Sequence, residues 1–381
     1  MSFVFWQWTG GVEQRCDCYR SVSHVSCSAI AGPPQPSINY CQHPSSTTST
    51  TVSTSSSTTT SQSPSSSKST TPTTDTTTTS SHSNETRREI ILITGGNDGS
   101  TWNSGAHAEV ETLGGPCHEL IPDLSYPRRA HLTLTTADQP VLTCGGDADY
   151  SCLALTRDSD YWTWSPHSQL DSIRWYSASV TLPSGVFILG GYNTETTSSF
   201  LATGRDHWTP GPEIPQGGSD SGCAVKISDT KFLLIGGEPN YEHVMEYDVD
   251  TRAWTQWPRL SSPPGGRRRH QCAVLGDDVI IVGGQDQYHE DPPEDLASTA
   301  ILHIPSKSFR HGGAMSTRRS SLGLGIINGK LLAFGGYNRY LGYYYLDSIE
   351  EWNSTTETWS LREEKLEFGK DFFGFTNSYC L

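Results

Sequence analysis

Basic residues recur along the chain at one position of a repeated pattern, just before a short run of small and apolar residues. There are four arginines and one lysine: Arg129, Arg174, Arg269, Arg319 and Lys370. A guanidinium binds a carboxylate through two parallel hydrogen bonds, so a cluster of these side chains would bind an acidic ligand. The competing interpretation is structural, because each cation could instead pair with a carboxylate or a backbone carbonyl of a neighbouring repeat.

The sequence contains few features that are typical of catalysis or cofactor binding. His131 and His270 follow two of the arginines at nearly equivalent places, and such periodic recurrence indicates packing positions. The sequence contains no H-E-x-x-H zinc motif, no G-x-S-x-G nucleophile turn and no phosphate-binding loop. We therefore predict no catalytic residue, no metal site and no cofactor.

The elements that must position the basic side chains are six apolar runs, each ending in a glycine pair. The first glycines lie roughly 45 to 52 residues apart, at Gly95, Gly145, Gly190, Gly236, Gly283 and Gly335. A tryptophan follows four of the pairs, at Trp162, Trp208, Trp254 and Trp359. Short apolar runs bounded by turn residues predict buried strands, and a sustained period of this length is typical of radial β-architectures.

The repeated words ILITGG, VLTCGG, VFILGG, FLLIGG, VIIVGG and LLAFGG resemble those of kelch-repeat β-propellers. The resemblance covers about residues 89–381 and implies an all-β propeller with six blades, near residues 89–120, 128–165, 174–209, 219–257, 269–311 and 319–361. The first blade lacks a preceding strand, whereas residues 370–380 form a strand with no glycine pair after it. We therefore expect the C-terminal strand to become the innermost strand of blade 1 and to close the ring.

The family resemblance also bears on function. The basic residues would surround one end of the channel, where similar kelch adaptors use arginines to bind acidic peptide motifs. This favours a monomeric, non-enzymatic module that binds a protein or an acidic ligand. Two alternatives stay open: a carbohydrate-active enzyme similar to the six-bladed sialic-acid mutarotases, and an intracellular ubiquitin-ligase adaptor. The adaptor is disfavoured because the N-terminal part does not resemble the helical domains that such proteins carry.

Residues 1–43 form a separate segment that contains Cys16, Cys18, Cys27 and Cys41. Disulfides suit this spacing better than zinc, because no C-x2-C knuckle is present. The pattern FVFWQW…CDCYRSV resembles the end of apple or PAN-type extracellular modules, which implies a sequence that begins within a longer precursor. Residues 44–88 are dominated by serine and threonine and cannot bury a core, so we expect a disordered, mucin-like linker.

Further cysteines and two sequons favour an extracellular location. Cys144 and Cys152 flank a glycine pair on neighbouring strands and are predicted to form a disulfide, with Cys117 as a substitute for either. Cys223 and Cys272 share one repeat position, and we expect both to be buried free thiols. N-glycosylation sequons begin at Asn84 and Asn353.

The charge and hydropathy of the chain narrow the classes of partner. The formal net charge is −15 at pH 7, which argues against nucleic acid or an anionic membrane surface as a ligand. No apolar run approaches the length of a membrane-spanning helix. The sequence therefore predicts a protein or acidic ligand as the partner, and no membrane span.

Overall fold

A computed structural model describes residues 2–9, 12–21, 24–29, 88–98, 110–115, 121–136, 141–147, 149–158, 161–260, 265–286, 293–342 and 344–380. The chain divides into two compact units, Met1–Ser80 and Ser81–Leu381. The first unit contains an antiparallel three-stranded sheet of Ser2–Thr9, Val12–Ser21 and His24–Ala29. In its register, the backbone of Cys18 lies opposite that of Cys27. Cys41 and residues 44–87 of the expected linker lie outside the described residues.

The second unit is a ring of six antiparallel blades, numbered here in chain order. From the channel outwards, blade 1 contains Gly374–Tyr379, Glu89–Thr94 and Val110–Leu113, and blade 2 contains Leu132–Leu134, Leu142–Cys144, Ser151–Asp158 and Tyr161–Gln169. Blade 3 contains Ala178–Leu182, Gly185–Leu189, Ser198–Ala202 and Thr209–Pro210, and blade 4 contains Cys223–Lys226, Lys231–Ile235, Val244–Asp248 and Ala253–Gln256.

Blades 5 and 6 carry additional short elements. Blade 5 contains Gln271–Leu275, Asp278–Val282, Thr299–His303 and Ser308–Gly312, with a small sheet of Arg267–Arg268 and Gln285–Asp286 beside it. Blade 6 contains Gly323–Ile327, Lys330–Phe334, Ser348–Asn353 and Thr358–Lys365, with a hairpin of Tyr337–Asn338 and Tyr344–Tyr345 that encloses the 3-10 helix Arg339–Leu341. No helix among the described residues is both long and apolar enough to cross a membrane.

The ring closes as the sequence predicted. Gly374–Tyr379 pairs antiparallel with Glu89–Thr94, from Gly374 opposite Thr94 to Tyr379 opposite Glu89. The last strand of the chain thus completes the first blade. The prediction of a six-bladed, all-β propeller closed by the C-terminal strand is confirmed.

The hydrophobic core lies between adjacent blades. The second strand of each blade is apolar on both sides, as in Phe232–Ile235, because both of its faces pack against neighbouring sheets. Fully burying side chains of this kind contributes roughly 1.5–3 kcal/mol each. Tryptophans of the outer strands fill the wider part of the same interfaces, and Trp208 packs with residues of blades 2 and 3.

The glycine pairs join each blade to the next through a backbone hydrogen bond that we call the glycine latch. The N–H of the second glycine donates to the carbonyl of the residue that precedes the inner strand of the following blade, at 2.8–3.0 Å. The six bonds run from Gly96 to Arg128, Gly146 to Arg174, Gly191 to Ser219, Gly237 to Arg267, Gly284 to Arg319 and Gly336 to Lys370. Gly237 has φ +91°, and a Cβ there would lie 2.3 Å from the Ser219 hydroxyl oxygen. Only glycine fits, because the backbone conformation and the close approach both exclude a side chain.

Disulfides confirm one prediction and overturn another. Cys144 and Cys152 lie opposite each other on neighbouring strands and are bonded, with Sγ–Sγ 2.07 Å. The expectation that Cys223 and Cys272 are free thiols is wrong, because they too are bonded. Their equivalent positions place them on adjacent inner strands, with the two Cα atoms 6.0 Å apart. Cys380 is also disulfide-bonded, whereas Cys117 lies outside the described residues.

Candidate functional site at the mouth of the central channel

The basic residues singled out in the sequence divide into two groups. Arg174, Arg319 and Lys370 have 0%, 0% and 3% of their surface exposed. Arg174 Nη1 donates to the carbonyls of Gly190 and Thr197, both at 3.1 Å. Arg319 Nη1 donates to the Gly335 carbonyl at 2.9 Å. These side chains hold their own blades together and do not project into the channel.

The structure corrects the register for the remaining two arginines. The places equivalent to Arg174 are occupied by Arg128 and Arg267, not by Arg129 and Arg269. Arg128 Nη1 donates to the Gly145 carbonyl at 2.7 Å, and Arg267 Nη1 to the Gly283 carbonyl at 3.0 Å. In blade 4 the Ser219 hydroxyl donates to the Gly236 carbonyl at 2.9 Å. In blade 1 the equivalent residue is Lys370, whose Nζ instead pairs with Glu111 of the same blade at 3.1 Å. We call these equivalent positions the clamp residues: Arg128, Arg174, Ser219, Arg267, Arg319 and Lys370.

Two residues after each clamp, the backbone adopts a left-handed conformation. The φ angles lie between 49° and 59° in Ala130, Tyr176, Ser221, Arg269, Ser321 and Phe372. Each of five N–H groups donates to the equivalent carbonyl of the preceding blade at 2.7–3.2 Å, from Ala130 to Phe372, Tyr176 to Ala130, Ser221 to Tyr176, Arg269 to Ser221 and Ser321 to Arg269. These bonds form a belt around the channel mouth and fix where six side chains meet the axis.

The belt alternates small and large side chains. The three large ones, Tyr176, Arg269 and Phe372, meet over the channel, and we call them the plug. The Tyr176 and Phe372 rings have centroids 4.8 Å apart. The Arg269 guanidinium lies 5.7 Å from the Tyr176 ring and 5.1 Å from the Phe372 ring. Cation–π attraction holds a guanidinium in such a place without using its hydrogen-bond donors.

Apart from these two rings, Arg269 has no partner for its charge in the described part of the chain. Its guanidinium makes no hydrogen bond or ion pair with any described residue, and its Nε is buried and unsatisfied. Burial and the neighbouring Arg268 lower the pKa of Arg269, while Tyr176, Asp371 and Asp220 oppose that shift. Arg129 and Arg268, by contrast, form ion pairs with Asp147 and Glu238. The mouth therefore offers one central guanidinium whose donors are available to a ligand.

Asp371 adds a titratable carboxyl to the mouth. Only 3% of its surface is exposed, and Asn97 Nδ2 donates to Oδ1 at 3.2 Å. Burial raises the pKa of Asp371 to about 7, although the Asn97 hydrogen bond and the charges of Arg269 and Arg129 lower it. The carboxyl therefore changes its charge close to neutral pH.

Aromatic rings continue outwards from the plug across blade 3. Trp175 meets Tyr176 edge-on, with ring centroids 6.5 Å apart, and stacks on Tyr192 at 6.0 Å and an interplanar angle of 23°. Tyr192 is 51% exposed. We call Phe372, Tyr176, Trp175 and Tyr192 the aromatic stripe. It gives the mouth a continuous row of aromatic rings from the channel axis to the rim.

The comparison with protein families agrees with this geometry. The Kelch motif family matches residues 318–362, which include the clamp Arg319, the glycine pair, the first three strands of blade 6 and most of the fourth. The other five blades repeat the same clamp, latch and belt positions. The protein is a kelch-repeat β-propeller. No curated protein sequence matches the chain.

Two histidines of the kelch propeller lie beneath the belt, just inside the channel wall. His131 and His270 are 4% and 1% exposed, and burial is the main cause that lowers the pKa of each to about 3. His131 Nε2 contacts the Thr94 hydroxyl at 2.8 Å. Both rings are therefore neutral at physiological pH and are packed within the blades.

The channel of the kelch propeller is a cavity of about 430 Å³ lined by the inner strands. Its lining contains the Arg269 cation and neutral polar side chains that include Thr133, Ser179, Thr181, Gln271, Thr376 and Asn377. Within the described ranges, no group of three or more histidine, cysteine, aspartate or glutamate side chains could hold a metal ion.

The glycosylation candidates have different positions. Asn353 is exposed at the end of the strand Ser348–Asn353, and its Oδ1 accepts from the N–H groups of Thr355 and Thr356 in the turn that follows. Asn84 lies outside the described residues. Asn353 glycosylation therefore stays a prediction with an accessible acceptor.

Proposed function

We propose that this kelch propeller is a non-enzymatic, extracellular protein-interaction module that binds an acidic side chain of its partner at Arg269. The observation that carries the proposal is the unpaired guanidinium between Tyr176 and Phe372. The Nη groups of Arg269, unlike its Nε, are not among the buried atoms, so a carboxylate of the ligand can reach them and form charge-assisted hydrogen bonds at little ordering cost. The belt and the two rings hold Arg269 in place before the ligand arrives.

The distribution of exposed aromatic residues supports a protein partner. The mouth face is the face that carries the glycine-pair turns and the starts of the inner strands. Among the described residues, nine large apolar or tyrosine side chains are exposed, and six lie on this face: Tyr126, Tyr150, Tyr192, Tyr340, Tyr344 and Phe368. Aromatic residues spread around a central arginine are typical of protein interfaces, which are enriched in both.

The cysteines support the extracellular part of the proposal. Cys144–Cys152 and Cys223–Cys272 are bonded, and Cys380 is bonded as well. Disulfides persist in oxidising compartments and are rare in the cytosol. The exposed Asn353 sequon is consistent with the same location. Secretion of the protein with glycan on Asn353 would support this part, and a cytosolic protein with reduced cysteines would contradict it.

The binding site can be tested with small blocked peptides. We expect Ac-Gly-Glu-Gly-NH2 to shift the NMR signals of the Arg269 and Trp175 side chains, and Ac-Gly-Gln-Gly-NH2 to leave them unchanged. Arg269→Gln should weaken binding of the glutamate peptide at least about tenfold. Arg205→Gln is the matched control, because Arg205 is exposed on the opposite face. Equal binding to the wild type and the Arg269→Gln variant would contradict the proposal.

One observation favours a second candidate function, a carbohydrate-active enzyme similar to the sialic-acid mutarotases. A buried carboxyl whose pKa lies near 7 is suited to proton transfer, and Asp371 is such a group beside Arg269. Exchange spectroscopy of sialic acid anomers would measure the activity. Acceleration by the wild type that Asp371→Asn abolishes would support this candidate, and an unchanged rate would exclude it.

A further inference from the structure

We propose that the aromatic stripe binds an extended, proline-rich segment of the partner, with the acidic residue for Arg269 at the end of that segment nearest the channel axis. The inference rests on the proposed function and names the partner's chemistry. It concerns Tyr192, Trp175, Tyr176 and Phe372 rather than the guanidinium alone.

The stripe is a continuous surface that the described part of the fold leaves open. Trp175, Tyr176 and Phe372 are half-buried and Tyr192 is exposed. The Trp175 and Tyr192 rings stack nearly parallel, and Tyr176 and Phe372 form a second contact nearer the axis. Two aromatic platforms therefore follow each other from the rim to Arg269.

Two ion pairs flank the stripe. Arg129 of blade 2 pairs with Asp147 on one side, and Arg268 of blade 5 pairs with Glu238 of blade 4 on the other. A neutral apolar segment can lie between these two pairs without breaking either of them. At the inner end, the unpaired guanidinium of Arg269 favours an anionic group in the ligand. The complementary ligand is thus apolar along its length and acidic at one end.

A polyproline II segment has this form. It is extended, has three residues per turn and advances about 9 Å per turn, so flat proline rings recur along one side. Aromatic grooves bind such segments because the conformation is preformed and little chain entropy is lost on binding. A flexible glycine-rich segment with the same acidic residue would reach Arg269 but gain nothing from the stripe. The difference between these two ligands isolates the contribution of the aromatic rings.

The experiment compares blocked peptides by titration of tryptophan fluorescence and NMR shifts. The probes are glutamate followed by five prolines, five prolines followed by glutamate, glutamate followed by five glycines, and glutamine followed by five prolines. Both orders are needed because the rings do not define the direction of the chain. We expect one proline–glutamate peptide to bind at least about tenfold more tightly than the glycine peptide. The glutamine peptide should bind about tenfold more weakly than its glutamate counterpart.

Protein variants assign the effect to the stripe. Trp175→Ala and Tyr192→Ala should each remove most of the preference for proline over glycine and leave the glycine peptide unaffected. Tyr192→Ala also serves if Trp175→Ala fails to fold, because Tyr192 is exposed. Tyr161→Ala is the control, since Tyr161 is 64% exposed on the outer hairpin of blade 2 and is not part of the stripe.

The outcomes separate this inference from the proposed function. Equal affinity for the proline and glycine peptides overturns the inference while acidic binding at Arg269 stands. Absence of binding by every glutamate peptide overturns both. A third outcome is that 3′-sialyllactose binds, that Trp175→Ala blocks this binding and that no proline peptide binds. This outcome would overturn the inference in favour of a glycan. A proline preference lost in Tyr192→Ala and kept in Tyr161→Ala supports it.

Discussion

Arg267 and Arg269 lie two positions apart in the sequence but have different roles. Arg267 donates to the carbonyls of Gly283 and Ser298, at 3.0 and 3.2 Å, and stays charged because burial lowers its pKa only to about 10. We expect Arg267→Ala to lower the free energy of unfolding by about 3 kcal/mol or more, because it leaves buried carbonyls unsatisfied. Arg269→Ala should cost about 1 kcal/mol, the scale of a cation–π contact.

Urea unfolding of both variants, followed by circular dichroism, checks this contrast. The slope of the unfolding free energy against urea concentration should be the same in both variants, so that they differ in stability alone. An Arg269→Ala variant as unstable as Arg267→Ala would show that both arginines are structural.

His270 carries a prediction about pH. Its folded pKa of about 3 lies below the ordinary value of 6.5, so the unfolded state binds the proton first as the pH falls. The stability that the neutral ring contributes is present above pH 6.5 and is lost as the pH falls towards 3. His131 acts in the same direction. We expect the wild type to lose on the order of 2 kcal/mol per histidine between pH 7.5 and 4.5.

Thermal unfolding of His270→Leu at those two pH values measures the share of this one ring. The variant should show a smaller decrease in melting temperature on acidification than the wild type. The contribution of Asp371 to the pH dependence of stability has the opposite sign, because its raised pKa makes stability fall as the pH rises from about 4 to about 7. The comparison is therefore made as a difference between two proteins that both keep Asp371. An identical decrease in both proteins would contradict the assignment to His270.

At the scale of strands and turns, the sequence alone predicted the six blades but not the residues that form the candidate site. Glycine pairs after apolar runs located all six blades, because that turn requires a backbone conformation and a close approach that only glycine tolerates. The clamp in blade 5 was missed because three arginines stand in a row, Arg267, Arg268 and Arg269. The separation of 16 residues from clamp to first glycine, shared by Arg174, Arg267 and Arg319, would have identified Arg267.

The aromatic plug and the second disulfide depend on contacts between blades. Tyr176 and Phe372 are 196 positions apart in the sequence by subtraction (372 − 176), and only the closed ring brings them together. Cys223 and Cys272 likewise meet across two inner strands that share no backbone ladder. Periodicity shows that positions are equivalent, but the distance between equivalent positions follows from the radius of the ring.

The Cys223–Cys272 disulfide should stabilise the joint between blades 4 and 5. It closes a loop with a sequence separation of 49, for which the chain-entropy model gives about 4 kcal/mol. The double substitution Cys223→Ala/Cys272→Ala should lower the melting temperature by several degrees. Cys144→Ala/Cys152→Ala is the comparison, and its effect should be smaller because its separation is only 8. A larger effect from the shorter loop would contradict the entropic account.

At the scale of the whole molecule, stability depends on keeping the ring closed. Adjacent blades are joined by the glycine latches and by the belt at the mouth, and the joint between blades 6 and 1 uses the bond from Gly336 to Lys370. Breaking the ring at one place exposes two blade faces and the edge of a sheet, so local damage there has a global cost. The same belt carries Tyr176, Arg269 and Phe372, which ties the proposed binding site to ring closure.

Deletion of residues 370–381 tests this dependence directly. The truncated chain loses the inner strand of blade 1, the latch acceptor Lys370 and the plug residue Phe372, so we expect the whole propeller to unfold rather than one blade. Because Cys380 is disulfide-bonded, the full-length variant Cys380→Ser separates the loss of the bond from the loss of the strand. That variant should keep a cooperative transition with a modestly lower melting temperature. A truncated protein that melts at the wild-type temperature, or that loses only one sixth of its strand signal, would show that the blades are stable independently of closure.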